Sequence, residues 1–176
     1  MRESTKKKLN TLCTTSVLAL VSQPAFAADI TVEVQNLTQG MYFTPVAVEA
    51  PTAKVSDNFM TTKGNTVLSV ATMLVNSNDG FSGLNAWDLS QLALGESWST
   101  TEGVYDAGSE VNSKAMGSMP GPADGGEGFK PMRNDTGFVA MHPGVVSMDG
   151  GLSSSVLTAR HKFDNPAIHI MVTRTE

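Results

Sequence analysis

The side chains in this sequence best equipped for chemistry are oxygen donors gathered in two short runs. One is Asn76-Ser77-Asn78-Asp79-Gly80; the other is Tyr105-Asp106-Ala107-Gly108-Ser109-Glu110-Val111-Asn112. Carboxylates and carboxamides in glycine-containing turns are the donors a hard cation selects, since calcium takes about six to eight oxygens from flexible loops. Asp79, Asp106 and Glu110, helped by Asn76 and Asn112, are therefore the candidate ligands of one Ca2+ ion. Gly108 can take a positive φ and curl the second run inward. The spacing Asp106-x-x-x-Glu110 would join two carboxylates if that segment makes one tight turn. The same residues also suit plain Asx-turns, so spacing alone leaves a metal site and a hydrogen-bonded turn both open. The run is not an EF-hand, because the Asp-x-Asp-x-Asp-Gly loop with its closing Glu is absent.

Other chemistries find less material. His142, His161 and His169 lack zinc-like spacing, and the only cysteine, Cys13, lies near the N-terminus. His142 precedes Pro143-Gly144, where a hydrogen bond to the backbone is its expected role. Met116, Met119, Met132, Met141 and Met148 raise Cu(I) binding through thioethers as one alternative function, with loop filling as the plainer account. A hydrolase with an unrecognised site is the other. No Gly-x-Ser-x-Gly elbow is present, and Ser153–Ser155 lack a recognisable base, so the expectation is a protein that is not an enzyme.

The first 27 residues read as a signal peptide. Arg2, Lys6, Lys7 and Lys8 precede a short apolar stretch at 17–21, and Ala25-Phe26-Ala27 gives the small-x-small cleavage pattern. Cleavage between Ala27 and Ala28 would leave a mature domain of residues 28–176, periplasmic or extracellular. Thr11 and Leu12 before Cys13 argue against lipidation. Removing four of the 12 basic residues and one of the 17 acidic ones leaves eight positive and 16 negative charges, a net of −8. Such a surface repels nucleic acid and anionic lipid and favours divalent cations. No transmembrane segment is expected. The mature chain also holds no cysteine, hence neither a disulfide nor a thiolate.

The elements that must carry the two acidic runs read as strands. Residues 30–37 alternate with period two, Ile30, Val32 and Val34 opposite Thr31, Glu33 and Gln35. A turn at 36–40 leads into a second strand at 42–50, which suggests a hairpin, with Pro45 at an edge or bulge. A helical turn capped by Ser56 is expected near 56–60. Residues 66–75 are dense enough in apolar side chains for a central strand. Further strands are expected at 84–89, 96–105, 137–142, 145–148 and 167–175, with 153–159 either strand or a loose helical turn. The segment 116–136 carries three prolines and five glycines, a long loop without regular structure. Trp87 and Trp98 suit core or rim packing. Many short strands with closely spaced turns predict an all-β, antiparallel β-sandwich with long irregular loops.

The run Asn78-Asp79-Gly80-Phe81-Ser82-Gly83-Leu84-Asn85, together with Val104-Tyr105-Asp106-Ala107-Gly108-Ser109-Glu110, resembles the signature of the spondin N-terminal domain. Asn36-Leu37-Thr38 with Gly40, Phe43-Thr44-Pro45, and Phe138 through His142-Pro143-Gly144 are similar to short bacterial members. The resemblance implies a C2-like sandwich with a calcium ion at one end and a role in cell adhesion or matrix recognition. Asp79, Asp106 and Glu110 match the family's acidic loop positions; Asn76 and Asn112 come from the chemistry of the sequence alone. Gly80 stands where many relatives have an aromatic, and thrombospondin-type modules and cysteines are missing. The expected partner is accordingly an unspecified protein or glycan at the loop tip, with oligomeric state open.

Overall fold

A computed structural model of the chain describes residues 29–49, 58–60, 66–125 and 137–176. The expected signal peptide and its expected Ala27/Ala28 cleavage site lie outside these residues. So do Ser56, Met132 and most of the second half of the 116–136 loop.

Two antiparallel sheets enclose the core. The first has the order β4-β1-β10-β7, formed by β1 (Asp29–Asn36), β4 (Asn58–Met60), β7 (Ser97–Glu102) and β10 (Ile168–Arg174). The second has the order β2-β5-β6-β8-β9, formed by β2 (Tyr42–Phe43), β5 (Val67–Val75), β6 (Gly80–Asp88), β8 (Tyr105–Asp106) and β9 (Ala140–Met141), with β3 (Ala47–Glu49) also paired to β5. Alternation does what period two requires. Ile168, Ile170 and Val172 of β10 are fully buried, and Ile30 of β1, with Leu68 and Val70 of β5, meets them from both sheets. Leu89 and Leu92, in and after a 3-10 turn, close the same cluster. Trp87 and Trp98 stack with ring centroids 4.2 Å apart, one from each sheet, and pack against it. A second apolar cluster of Met41, Leu74, Val104 and Ala167 lies against Phe43, Val145 and Phe163.

Five expectations need correction. The strands at 30–37 and 42–50 do not form a hairpin: β1 pairs β10 and β4, whereas β2 and β3 pair β5 in the other sheet. The 42–50 strand is itself broken at Thr44-Pro45-Val46, where proline has no N–H for a ladder. In place of a helical turn, Asn58–Met60 is an edge strand held by backbone pairing to Asp29–Thr31. The 96–105 stretch divides at Gly103-Val104, sending β7 to one sheet and β8 to the other. Residues 145–147 are not extended pairs but lead into a 3-10 turn at Met148–Gly150. The 153–159 segment makes one isolated bridge, Ala115 with Ser155, before a 3-10 turn at Ala159–His161. The strand expected at 66–75 is central, between β2/β3 and β6. Its outer face nevertheless stays open, with Val67 and Met73 exposed.

Candidate metal centre

The two acidic runs meet because the strands beside them pair. Gly80, at the head of β6, is opposite Asp106 of β8, and Phe81 is opposite Tyr105. The turn before β6 is tight: Asn76 takes φ 65°, a left-handed conformation asparagine tolerates. Ser77 Oγ then donates to the Leu74 carbonyl and accepts the Gly80 N–H at 3.1 Å. That turn sets Asp79 just ahead of the strand, facing the loop that follows β8.

Asp79 is the anchor of the cluster. Its Oδ2 accepts the Ser109 N–H at 2.7 Å, the Ser109 hydroxyl at 2.9 Å and the Glu110 N–H at 2.9 Å. Its other oxygen, Oδ1, is buried and has no hydrogen-bond partner. Asp106 Oδ1 accepts the Gly108 N–H at 2.8 Å, an Asx-turn made possible by Gly108 at φ 72°. Its Oδ2 accepts the side-chain amide of Asn112. Burial works to raise the Asp106 pKa. The bonds from Asn112 and Gly108, the charge of His142 and a carboxyl interaction with Asp79 outweigh it, so the group is held below the usual aspartate value. The two carboxyls thus act on each other at close range on neighbouring strands.

Around them the site is polar yet closed to water. Asn76, Asn78, Asp79, Asp106, Lys114 and His142 are each buried. Asn78 Nδ2 donates to the Ser118 carbonyl at 2.7 Å, which leaves its buried Oδ1 unpartnered. The His142 Nδ1 accepts the Gly144 N–H at 3.0 Å, as the following Pro-Gly pair led one to expect. In the neutral ring this puts the proton on Nε2, which is buried without an acceptor. Burial first, and then the positive charge of Lys114, lower the His142 pKa against the opposing pull of Asp106 and Asp79. Its ring rests on Phe163 at a centroid distance of 5.5 Å, joining the cluster to the second apolar core.

The segment after β8 folds down over the first turn. The Asn76 N–H donates to the Pro120 carbonyl, and Asn76 Oδ1 accepts the Ala123 N–H at 3.0 Å. A β-carbon at Gly121 would collide with that Asn76 oxygen, so only glycine permits the approach. Asp124 accepts the N–H groups of Gly117, Ser118 and Met119. This part of the 116–136 loop is ordered by hydrogen bonds, with a 3-10 turn at Pro122–Asp124.

The five expected ligands therefore separate. Asp79 and Asp106 stand together. Glu110 supplies its N–H to Asp79, and its half-buried side chain lines a cleft with Asp106, Val111, Asn112, Phe138 and Met141. Asn112 presents its nitrogen to Asp106 and so holds a carboxylate in place, while Asn76 turns its oxygen to the Ala123 N–H. Neither carboxamide offers a free oxygen to the acidic pair in this arrangement. Asn78 does have one, and Lys114 and His142 complete the cluster; neither Lys114 nor Asn78 was among the expected ligands. Lysine burial leaves no local trace in sequence, whereas Asn78 stands next to Asp79 in the same acidic run. Of the methionines, Met119 is fully buried while Met116 is largely exposed, so these neighbours face opposite environments.

The donors left open, Asp79 Oδ1, Asn78 Oδ1 and the lone pairs of Asp106, are hard oxygens and fit calcium. Among the described residues, no group of three or more His, Cys, Asp and Glu is arranged to hold a metal, so any ion here must use amide or backbone oxygens beside the two aspartates. No family model matches the chain, and no curated protein matches it either. Among the described residues no helix is long and apolar enough to cross a membrane.

Proposed function

We propose that this chain is an exported, non-enzymatic interaction module of the spondin N-terminal kind, a C2-like sandwich whose loop end binds one calcium ion. One observation carries the reading: Asp106 is paired with Gly80, the residue that follows Asp79, and an oxygen of Asp79 is buried without a donor. Two carboxylates drawn out of water need a compensating positive charge, and a bound cation supplies it. Asp79, Asp106 and Asn78 would hold the ion, with Glu110 at the mouth of the cleft. Calcium there would neutralise the pair and fix the 76–79 turn and the 105–112 loop, presenting a rigid tip to a protein or glycan. The net charge of the mature chain favours such a cation and opposes nucleic acid.

Thermal melting in calcium and in chelator tests the reading. Calcium at about a hundred times its Kd adds about 2.7 kcal/mol, a rise of several degrees for a domain of this size. Asp106→Ala is expected to abolish the rise. Equal shifts in variant and wild type reject the site, and no shift in the wild type rejects the calcium reading. A pull-down with and without chelator then identifies the partner.

A further inference from the structure

Lys114 is a charged residue the calcium reading does not use, and its burial sets it apart from the other lysines and arginines among the described residues. It is only 7% exposed, and its Nζ is buried without a single hydrogen-bond partner. Its backbone is pinned: the Lys114 carbonyl accepts the Val156 N–H at 2.9 Å, and the adjacent Ala115 bridges to Ser155. The root of the side chain is thereby held at a fixed place in the fold. Burial holds the lysine pKa below its ordinary value, against the opposing charges of Asp106 and Asp79, so the ammonium lies within the field of both carboxylates. A buried unpaired ammonium and a buried unpaired carboxylate oxygen therefore share one cluster. A closed salt bridge would satisfy both, and neither is satisfied.

We propose that the Lys114 ammonium is the resident cation of the Asp79–Asp106 cluster, and that a divalent ion enters by exchanging with it. The second half rests on the calcium reading above. The physical reason is charge: one ammonium offsets half the charge of two carboxylates and one divalent ion offsets all of it, while both cations together would leave an excess of positive charge in a closed space. Lacking any direct hydrogen bond, the ammonium has little geometry to break when it leaves. Its four-carbon stem lets the charge swing outward while the backbone stays in place. The site is then selective by competition. Without metal its negative charge is partly offset, and it fills only where calcium is abundant enough to displace a tethered competitor.

The test titrates calcium into the full exported chain and its Lys114→Met variant by calorimetry, and maps amine acetylation of the wild type with and without calcium. Lys114→Met is expected to bind calcium at least tenfold more tightly than the wild type, or to bind when the wild type does not. In the wild type, acetylation at Lys114 is expected to rise several-fold on adding calcium, as the ammonium moves to solvent. This second readout stands if the variant fails to fold. Equal affinities in the two proteins, or labelling of Lys114 unchanged while calcium binds, overturn the exchange and leave the calcium reading intact. No binding by either protein overturns the calcium reading, and the exchange with it.

Discussion

The space between the sheets and the loop end beside it are both closed to water, yet they are closed by different means. Between the sheets, Ile30, Leu68, Ile168, Ile170 and Val172 fill the interior with groups that need no partner. At the loop end, Asp79, Asp106, Asn78, Lys114 and His142 are buried too, though less completely, and each of these except Asp106 keeps at least one polar atom unsatisfied. Unpaired buried polar atoms cost stability, so native structures keep few of them. Their concentration at one end marks the region where the chain gives up stability for something else. The core specifies the fold, and the cluster is where the proposed calcium ion would bind.

The largest contrast should come from truncating each region. Ile170→Ala is expected to lose about 2–5 kcal/mol, through lost transfer energy and a cavity, equally in calcium and in chelator. Asp79→Ala leaves the Ser109 N–H, its hydroxyl and the Glu110 N–H without an acceptor, a loss of about 3 kcal/mol. It is also expected to erase the calcium response, which Ile170→Ala should preserve. Denaturant titration in both buffers measures the two effects. If calcium raises the stability of Asp79→Ala as much as that of the wild type, the comparison fails.

Acid should separate the regions next. His142 has a folded pKa below its unfolded value, so the unfolded chain binds the extra proton first. Its contribution is complete above about pH 6.5, the ordinary histidine value, and is lost as pH falls from there toward the lowered folded value. Melting temperature should drop between about pH 7.5 and pH 5, with a slope that His142→Gln reduces. Asp106 acts in the same direction at lower pH: its stabilisation, present above the usual aspartate value of about 3.9, disappears as pH falls through its depressed folded pKa. An unchanged slope in His142→Gln would remove the histidine from the cluster's energetics.

The smallest effect belongs to the frame. Ala86 sits at φ 51° near the irregularity where the β5–β6 register shifts, between Leu68 and Val70. Ala86→Gly relieves a left-handed alanine but adds freedom to the unfolded chain, for a net gain within about 1 kcal/mol. Calcium affinity should not move.

What the residues foretold follows the same division. Alternation over 30–37 and 167–175 revealed strands because burial on one face writes itself into every second residue, and apolar density alone revealed the strand at 66–75. Pairing was less visible. The turn at 36–40 suggested a hairpin, but β1 finds its partner in β10 at the other end of the chain, and turn chemistry is blind to such distant pairing. Asn58–Met60 carries little apolar pattern because its attachment is through backbone bonds at an edge. Asp79 and Asp106 could be brought together on paper because both stand in glycine turns beside strands. Lys114 could not, since nothing around it distinguishes a buried ammonium from a solvated one.

A crystal structure of the protein soaked in calcium tests the central claim most directly. The account expects one ion about 2.3–2.6 Å from Asp79 Oδ1, shared with Asp106, and the Lys114 ammonium swung away from both. Asp79 and Asp106 with no ion between them at saturating calcium, and Lys114 still buried beside them, would contradict it.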